Sequence, residues 1–205
     1  MTIEELEKNL KQSNLSNIYV LYGEELFLLE NILKKIKKQF GELVSGINYI
    51  MIGEESINSL ISNIETPAFG YEKKLIIARN TGLLKKEGKR KNAELVKQKE
   101  KITEYIKENI DIIKESVVLV FIEESLEKNN LYKVLEKEAI ICNFEKQNPN
   151  QIIKRLKTIC NAYKVNITES TLKYLLECCG TDMQNLINEI RKLIEYVRRK
   201  WRNYK

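Results

Sequence analysis

Two acidic pairs stand where an α/β protein would do phosphate chemistry. Glu24 and Glu25 follow Gly23 in the stretch NIYVLYGEELFLLENILKKIKKQF at 17–40, where an apolar run gives way to an amphipathic one. Glu123 and Glu124 follow the apolar run VVLVFI, and Arg79 and Asn80 close the run KLIIAR. The C-terminal ends of such runs are where ligand sites form in open α/β sheets. A strand, a glycine and a helix make the frame of a phosphate-binding loop. An acid after a buried strand is placed like a magnesium-directed carboxylate.

The residue types do not complete that chemistry. A phosphate loop needs several glycines to wrap backbone N–H groups around the anion, a lysine for the β and γ phosphates, and a Ser or Thr for magnesium. Here Gly23 stands alone. Glu24 and Glu25 put negative charge where phosphate would approach, and they offset the positive end of the following helix themselves. Glu123 and Glu124 then read as a solvated loop after a buried strand. Histidine is absent from all 205 residues, which excludes histidine triads, zinc deaminases and zinc metalloproteases. The four cysteines, 142, 160, 178 and 179, lack metal or disulfide-scaffold spacing and read as reduced cytosolic thiols. Cys178 and Cys179 lie by an apolar helical stripe and are expected to be buried. No metal and no cofactor is expected.

A third feature suits binding better than catalysis. In ETPAFGYEKK, Phe69 lies on an irregular segment between Pro67 and Gly70. It either inserts into a partner's pocket or folds back into its own core. Lys73 and Lys74 after it read as strand-edge solubilisers. Basic charge concentrates in two places. Residues 191–205 hold seven basic side chains against one acidic, and residues 85–101 hold eight against three, within a formal net charge of +6. Arg198, Arg199, Lys200 and Arg202, with Trp201, offer phosphate contact and base stacking; they read equally as the exposed face of a last helix. The segment at 85–101 reads as a solvated loop and helix start.

The elements that position these residues follow from hydrophobic period. Helices are predicted at 3–11, from about 26 to 40, over 54–65, up to about 109, and over 126–138. Strands are predicted at 18–22, 47–52, 74–79, 116–122 and 139–144, with 116–122 central. This alternation predicts a mostly parallel sheet flanked by helices. After EKQNPN the pattern becomes purely helical, with three stripes, a break at Gly180 and a cap at Asp182. We therefore expect an α/β domain over 1–146 and a small helical domain over 147–205. The polar N-terminus is not a signal peptide, and no apolar run reaches membrane-spanning length.

In order and spacing, YVLYGEELFLLENILKKI, IETPAFGYEKKLIIARN, VVLVFIEESLEKNNLYKVLEK and ITESTLKYLLECCGTDMQNLINEIRKLIEY resemble the delta-subunit family of bacterial DNA polymerase III, a clamp-loader family. The resemblance implies an AAA+-like domain that does not bind ATP, followed by a small three-helix lid-like domain. It implies a sliding clamp as partner, opened by the first domain, and primed DNA reached through the loader complex in the bacterial cytoplasm. The clamp contact maps onto Thr66, Pro67, Ala68 and Phe69, with Phe69 as the aromatic wedge. Ala68 stands where a larger aliphatic residue is common, which implies a shallower wedge or one helped by Ile64. The family's C-terminal collar, which joins the other loader subunits, is expected to be absent from this chain. Polymerase (nucleotidyltransferase) activity would belong to the complex, since no residues here supply it. Two other classes stay open: a degenerate P-loop ATPase, marked by saturable micromolar ATP binding, and a DNA-binding module built on the C-terminal basic stretch, marked by salt-dependent binding.

Overall fold

The computed structural model describes residues 1–85 and 93–203, with the side chains of 93, 95 and 201–203 excepted. The chain divides into two compact units, Met1–Glu145 and Lys146–Lys205.

The first unit is built on five parallel strands: β1 (Ile18–Tyr22), β2 (Tyr49–Ile52), β3 (Lys74–Arg79), β4 (Val117–Glu123) and β5 (Ile140–Asn143). They lie in the order β2-β3-β4-β1-β5, and every pairing is parallel. All seven residues of β4 are buried, as an apolar run covered on both sheet faces requires. Among the described residues its α-helices are α1 (Ile3–Lys11), α2 (Leu26–Phe40), α3 (Leu60–Glu65), α4 (Ala93–Glu108), α5 (Ile110–Ser116) and α6 (Asn130–Leu135).

Side chains alternate between the faces of each strand. Ile18, Val20, Ile76, Ala78, Leu119 and Phe121 join Leu60, Ile64, Ile102, Ile106, Ile113 and Leu135 in one core cluster. Tyr19, Leu21, Leu75, Ile77, Val118 and Val120 are left for the other face, with the buried stripes of α1 and α2. This is the parallel, helix-flanked α/β arrangement expected from the sequence.

Several boundaries differ from the periodicity reading, and the helix expected over 54–65 begins only at Leu60, after a 3-10 turn at Ile57–Ser59. The helix before β4 is broken at Asn109, and α5 runs into the strand, so Ser116 ends a helix rather than starting β4. The helix expected over 126–138 is confined to 130–135, where Asn129 caps it by accepting from the Tyr132 amide. The second strand starts at Tyr49 because Asn48 is fully buried and holds the preceding turn, bonding the Val44 amide and the Glu42 carbonyl.

The second unit holds α7 (Pro149–Ala162), α8 (Glu169–Cys179) and α9 (Met183–Asn203). Each start has a chemical cause. Asn148 and Gln151 form a capping box with Pro149 in the first turn, Thr168 caps α8, and Asp182 accepts from the Asn185 amide at 2.7 Å. Gly180, at φ +76°, ends α8. Cys142 and Cys160 are buried, but Cys178 is exposed and Cys179 half-buried. The expectation of two buried thiols there fails because α8 turns its Leu172–Leu175 stripe inward and position 178 falls off it.

Candidate functional site

At the C-terminal edge of the sheet, the turn after β1 is closed by the chain itself. Gly23 is buried with φ +128°, and a Cβ there would sit 2.4 Å from the Phe144 carbonyl oxygen. Its N–H donates to the Glu123 carbonyl at 3.2 Å, and the Glu25 N–H donates to the Phe144 carbonyl at 2.8 Å. The Phe144 N–H returns to the Tyr22 carbonyl at 2.6 Å. Amides that a phosphate cradle would aim outward are therefore spent on the strands beside them. Glu25 is the N-cap residue of α2, and Glu24 is exposed.

Glu123 is not in a solvated loop. It is the last residue of β4 and 2% exposed. Its carboxylate accepts from the Thr81 hydroxyl at 2.8 Å and from the amides of Thr81 and Gly82. Burial pushes its carboxyl above the ordinary range, against the lowering effect of those donors and of Lys85. Glu123 thus ties the segment after β3 to the sheet. Glu124 is the exposed member of the pair and bridges to Lys85 at 3.4 Å. Arg79 forms an ion pair with Glu30 of α2, and Asn80, at φ +48°, donates its amide to the Ile122 carbonyl at 2.8 Å.

At the opposite, N-terminal edge, the segment before β3 presents its aromatic outward. Phe69 is 75% exposed, so it does not fold back into the core. It occupies a tight turn in which the Tyr71 amide donates to the Ala68 carbonyl at 2.9 Å and Gly70 takes φ +82°. A positive φ at the third residue of a four-residue turn is the type II geometry that favours glycine. Thr66 and Pro67 are exposed and Ala68 is half-buried. Ile64 is corrected: it is 5% exposed and packs in the core cluster, because it continues the buried face of α3 that begins at Leu60. A cleft of about 490 Å³ lies beside the turn, lined among others by Thr66, Pro67, Tyr71, Tyr105 and Ile112.

Lys74 is also corrected. It is 3% exposed, on a strand inside the sheet rather than at an edge. Its Nζ donates to the Asn63 carbonyl at 2.8 Å and the Thr66 carbonyl at 2.6 Å. Burial lowers its pKa below the ordinary lysine value. Lys73 is held as well, donating to Asn17 Oδ1 at 2.9 Å and to the Lys114 carbonyl at 3.0 Å. Sequence reasoning read Lys74 as a solvated charge and passed over Thr81. Thr81 carried no local signal. For Lys74 there was one: Pro67 lacks the N–H that would serve the Asn63 carbonyl, and a lysine follows within reach.

Along α9, Arg198, Arg199 and Lys200 are exposed. Arg198 pairs with Glu195 at 3.4 Å, and Lys200 lies 5.3 Å from the centre of the Tyr196 ring. The side chains of Trp201 and Arg202 lie outside the described residues, as do residues 86–92 of the other basic segment. Among the described residues, no helix is long and apolar enough to cross a membrane.

Comparison with known proteins places these features. The family model described as DNA polymerase III, delta subunit, matches residues 19–145. A probable DNA polymerase III subunit delta from Aquifex aeolicus is 28% identical over 189 residues, covering 89% of this chain and 51% of that protein. The DNA polymerase III subunit delta of Bacillus subtilis is 22% identical over 199 residues, covering 93% of this chain and 55% of that protein. Among solved structures, the Bacillus subtilis DNA clamp loader delta protein superposes with a TM-score of 0.72 at 21% identity, over 95% of this chain and 57% of that one. The chain spans about half the length of the curated relatives it matches.

Proposed function

The chain belongs to the DNA polymerase III delta subunit family, a clamp-loader family of DNA replication, and from that premise we propose that it binds and opens the sliding clamp without catalysis of its own. Phe69 is the wedge of this mechanism, flanked by Thr66, Pro67 and Ala68. The observation that carries the reading is a large aromatic, 75% exposed, held at the tip of a glycine turn. Exposing such a ring has no benefit for the fold. Burial in a partner's pocket recovers its apolar area, and aromatic anchors of this kind dominate interface energies. A subunit that binds the distorted clamp edge better than the closed one shifts the ring toward opening.

In this proposal ATP turnover belongs to other loader subunits. The closed Gly23 turn supports that division, since the amides of Gly23 and Glu25 already have partners. Contact with the other subunits, through a collar outside these residues, and with primed DNA, through the assembled loader, completes the scheme.

Titration with the sliding clamp of the same organism tests it. Phe69→Ala is expected to cost roughly 2–3 kcal/mol of binding, on the order of a hundredfold in Kd. Its thermal midpoint stays at the wild-type value, because so exposed a side chain adds little to the core. A folded variant that binds as well as wild type overturns the proposal.

A further inference from the structure

The Phe69 turn leaves a helix and enters a strand within a few residues, and its base carries a defect that a single side chain repairs. Helix α3 ends at Glu65, with Thr66 as its C-cap residue. In a continuing helix the Asn63 carbonyl would accept from the amide of residue 67. That residue is Pro67, which has no N–H. The Asn63 carbonyl instead receives Lys74 Nζ at 2.8 Å, and the same ammonium takes the Thr66 carbonyl at 2.6 Å. A cation at a helix C-terminus is favourable in itself, and charge-assisted bonds to carbonyls are the stronger kind.

The geometry joins this repair to the turn. Thr66 is the residue before Pro67, and Phe69 follows two residues later. The Lys74 backbone is fixed in the sheet, paired with Val117 of β4. The ammonium therefore anchors the near side of the turn to the strand on which the far side is built. Thr66 Oγ1, donating to the Ser62 carbonyl at 2.6 Å, fixes the same junction from the helix side.

We propose that Lys74 is the positioning residue of the Phe69 wedge: it replaces the donor that Pro67 removes and holds the turn in its binding-ready form. This rests on the reading that Phe69 contacts the clamp. Lys74 is buried and touches no partner itself; its effect on binding passes through the turn. Without it, the Pro67–Gly70 segment must be ordered when the clamp arrives, and that ordering is lost affinity.

The test is a double-mutant cycle read by clamp titration, using wild type, Phe69→Ala, Lys74→Met and the double variant. Lys74→Met keeps most of the stem volume and removes both donors. It is expected to weaken clamp binding roughly tenfold, the size of an ordering cost imposed on a preformed loop. In the Phe69→Ala background the same change is expected to move Kd by no more than about twofold, since two residues that act through one contact are not additive. Lys74→Arg, which keeps the donors, is expected to retain most of the binding. Should Lys74→Met fail to fold, Lys74→Leu, which likewise has no donor, is measured against the same outcomes. Wild-type binding by a folded Lys74→Met, or an equal loss with and without Phe69, overturns the assignment while leaving the wedge intact. If Phe69→Ala itself has no effect, the wedge and the assignment fall together.

Discussion

The glycine turns at Gly23 and Gly70 lie at opposite edges of one sheet and are built to opposite ends. The Gly23 turn is packed shut: a Cβ there meets the Phe144 carbonyl oxygen at 2.4 Å, and its amides serve neighbouring strands. The Gly70 turn is open: nothing lies within 4 Å of a Cβ built on it, and the residue before it is 75% exposed. The first edge, at the C-terminal ends of the strands, is where ligand sites form in open α/β sheets; here the Gly23 and Glu25 amides and the Glu123 carboxylate on it serve the fold, and the protruding aromatic lies at the other edge. A glycine with positive φ therefore says nothing about function until its surroundings are known. At 23 it permits close approach of two backbones; at 70 it permits a tip.

The largest difference between the two turns is expected when one methyl group is added to each. Gly23→Ala requires both a left-handed φ and displacement of the Phe144 backbone, and is expected to destabilise the fold by roughly 3 kcal/mol or more. Gly70→Ala carries the φ penalty alone, about 1 kcal/mol. Chemical denaturation of both variants checks the difference. Equal costs would mean that the Gly23 turn yields, and that the edge is not closed as described.

Much of this division was legible in the sequence, for physical reasons. The unbroken apolar run of β4 announced a central buried strand. The apolar run, the lone glycine and the amphipathic run after it announced a strand, a tight turn and a helix. What was not legible depended on three-dimensional adjacency. Helix α5 escaped because its seven residues run into β4 with no breaker between them. Glu123 escaped because the strand extends one residue past its apolar run, carrying a carboxylate into the interior where Thr81 meets it. Ile64 was misplaced although its own period with Leu60 pointed inward. Lys74 was misjudged because two adjacent lysines look like solvated charge, whereas the fold carries both to carbonyls at helix ends, Lys73 to α5 and Lys74 to α3.

The closed edge can be probed more finely through its buried acid. Burial raises the Glu123 carboxyl above its ordinary value of 4.5. The folded state therefore holds this proton more tightly than the unfolded chain does. The stability this contributes is complete below the unfolded value and is lost as pH rises through the folded one. Glu123→Gln keeps an acceptor for Thr81 and removes the ionisation. Relative to wild type, its unfolding free energy is expected to rise as pH increases from about 4.5. A constant difference across that range would mean that the donors of Thr81 and Gly82 fully offset the burial.

The smallest effect is expected from the exposed charge on α9, and it sharpens the comparison by separating presentation from satisfaction. Arg198 and Lys200 are exposed like Phe69, yet each already has company, in Glu195 and in the Tyr196 ring. Exposed pairs of this sort contribute little to stability, roughly 0–1 kcal/mol. Neutralising Arg198, Arg199 and Lys200 together should therefore leave the fold and Phe69-dependent clamp binding unchanged. Should these residues contact phosphates within the loader, binding to primed DNA weakens and its salt dependence flattens by roughly 0.9 or less in slope per contact removed. An unchanged slope assigns Arg198, Arg199 and Lys200 to solvent, where their pairing with Glu195 and the Tyr196 ring already leaves them.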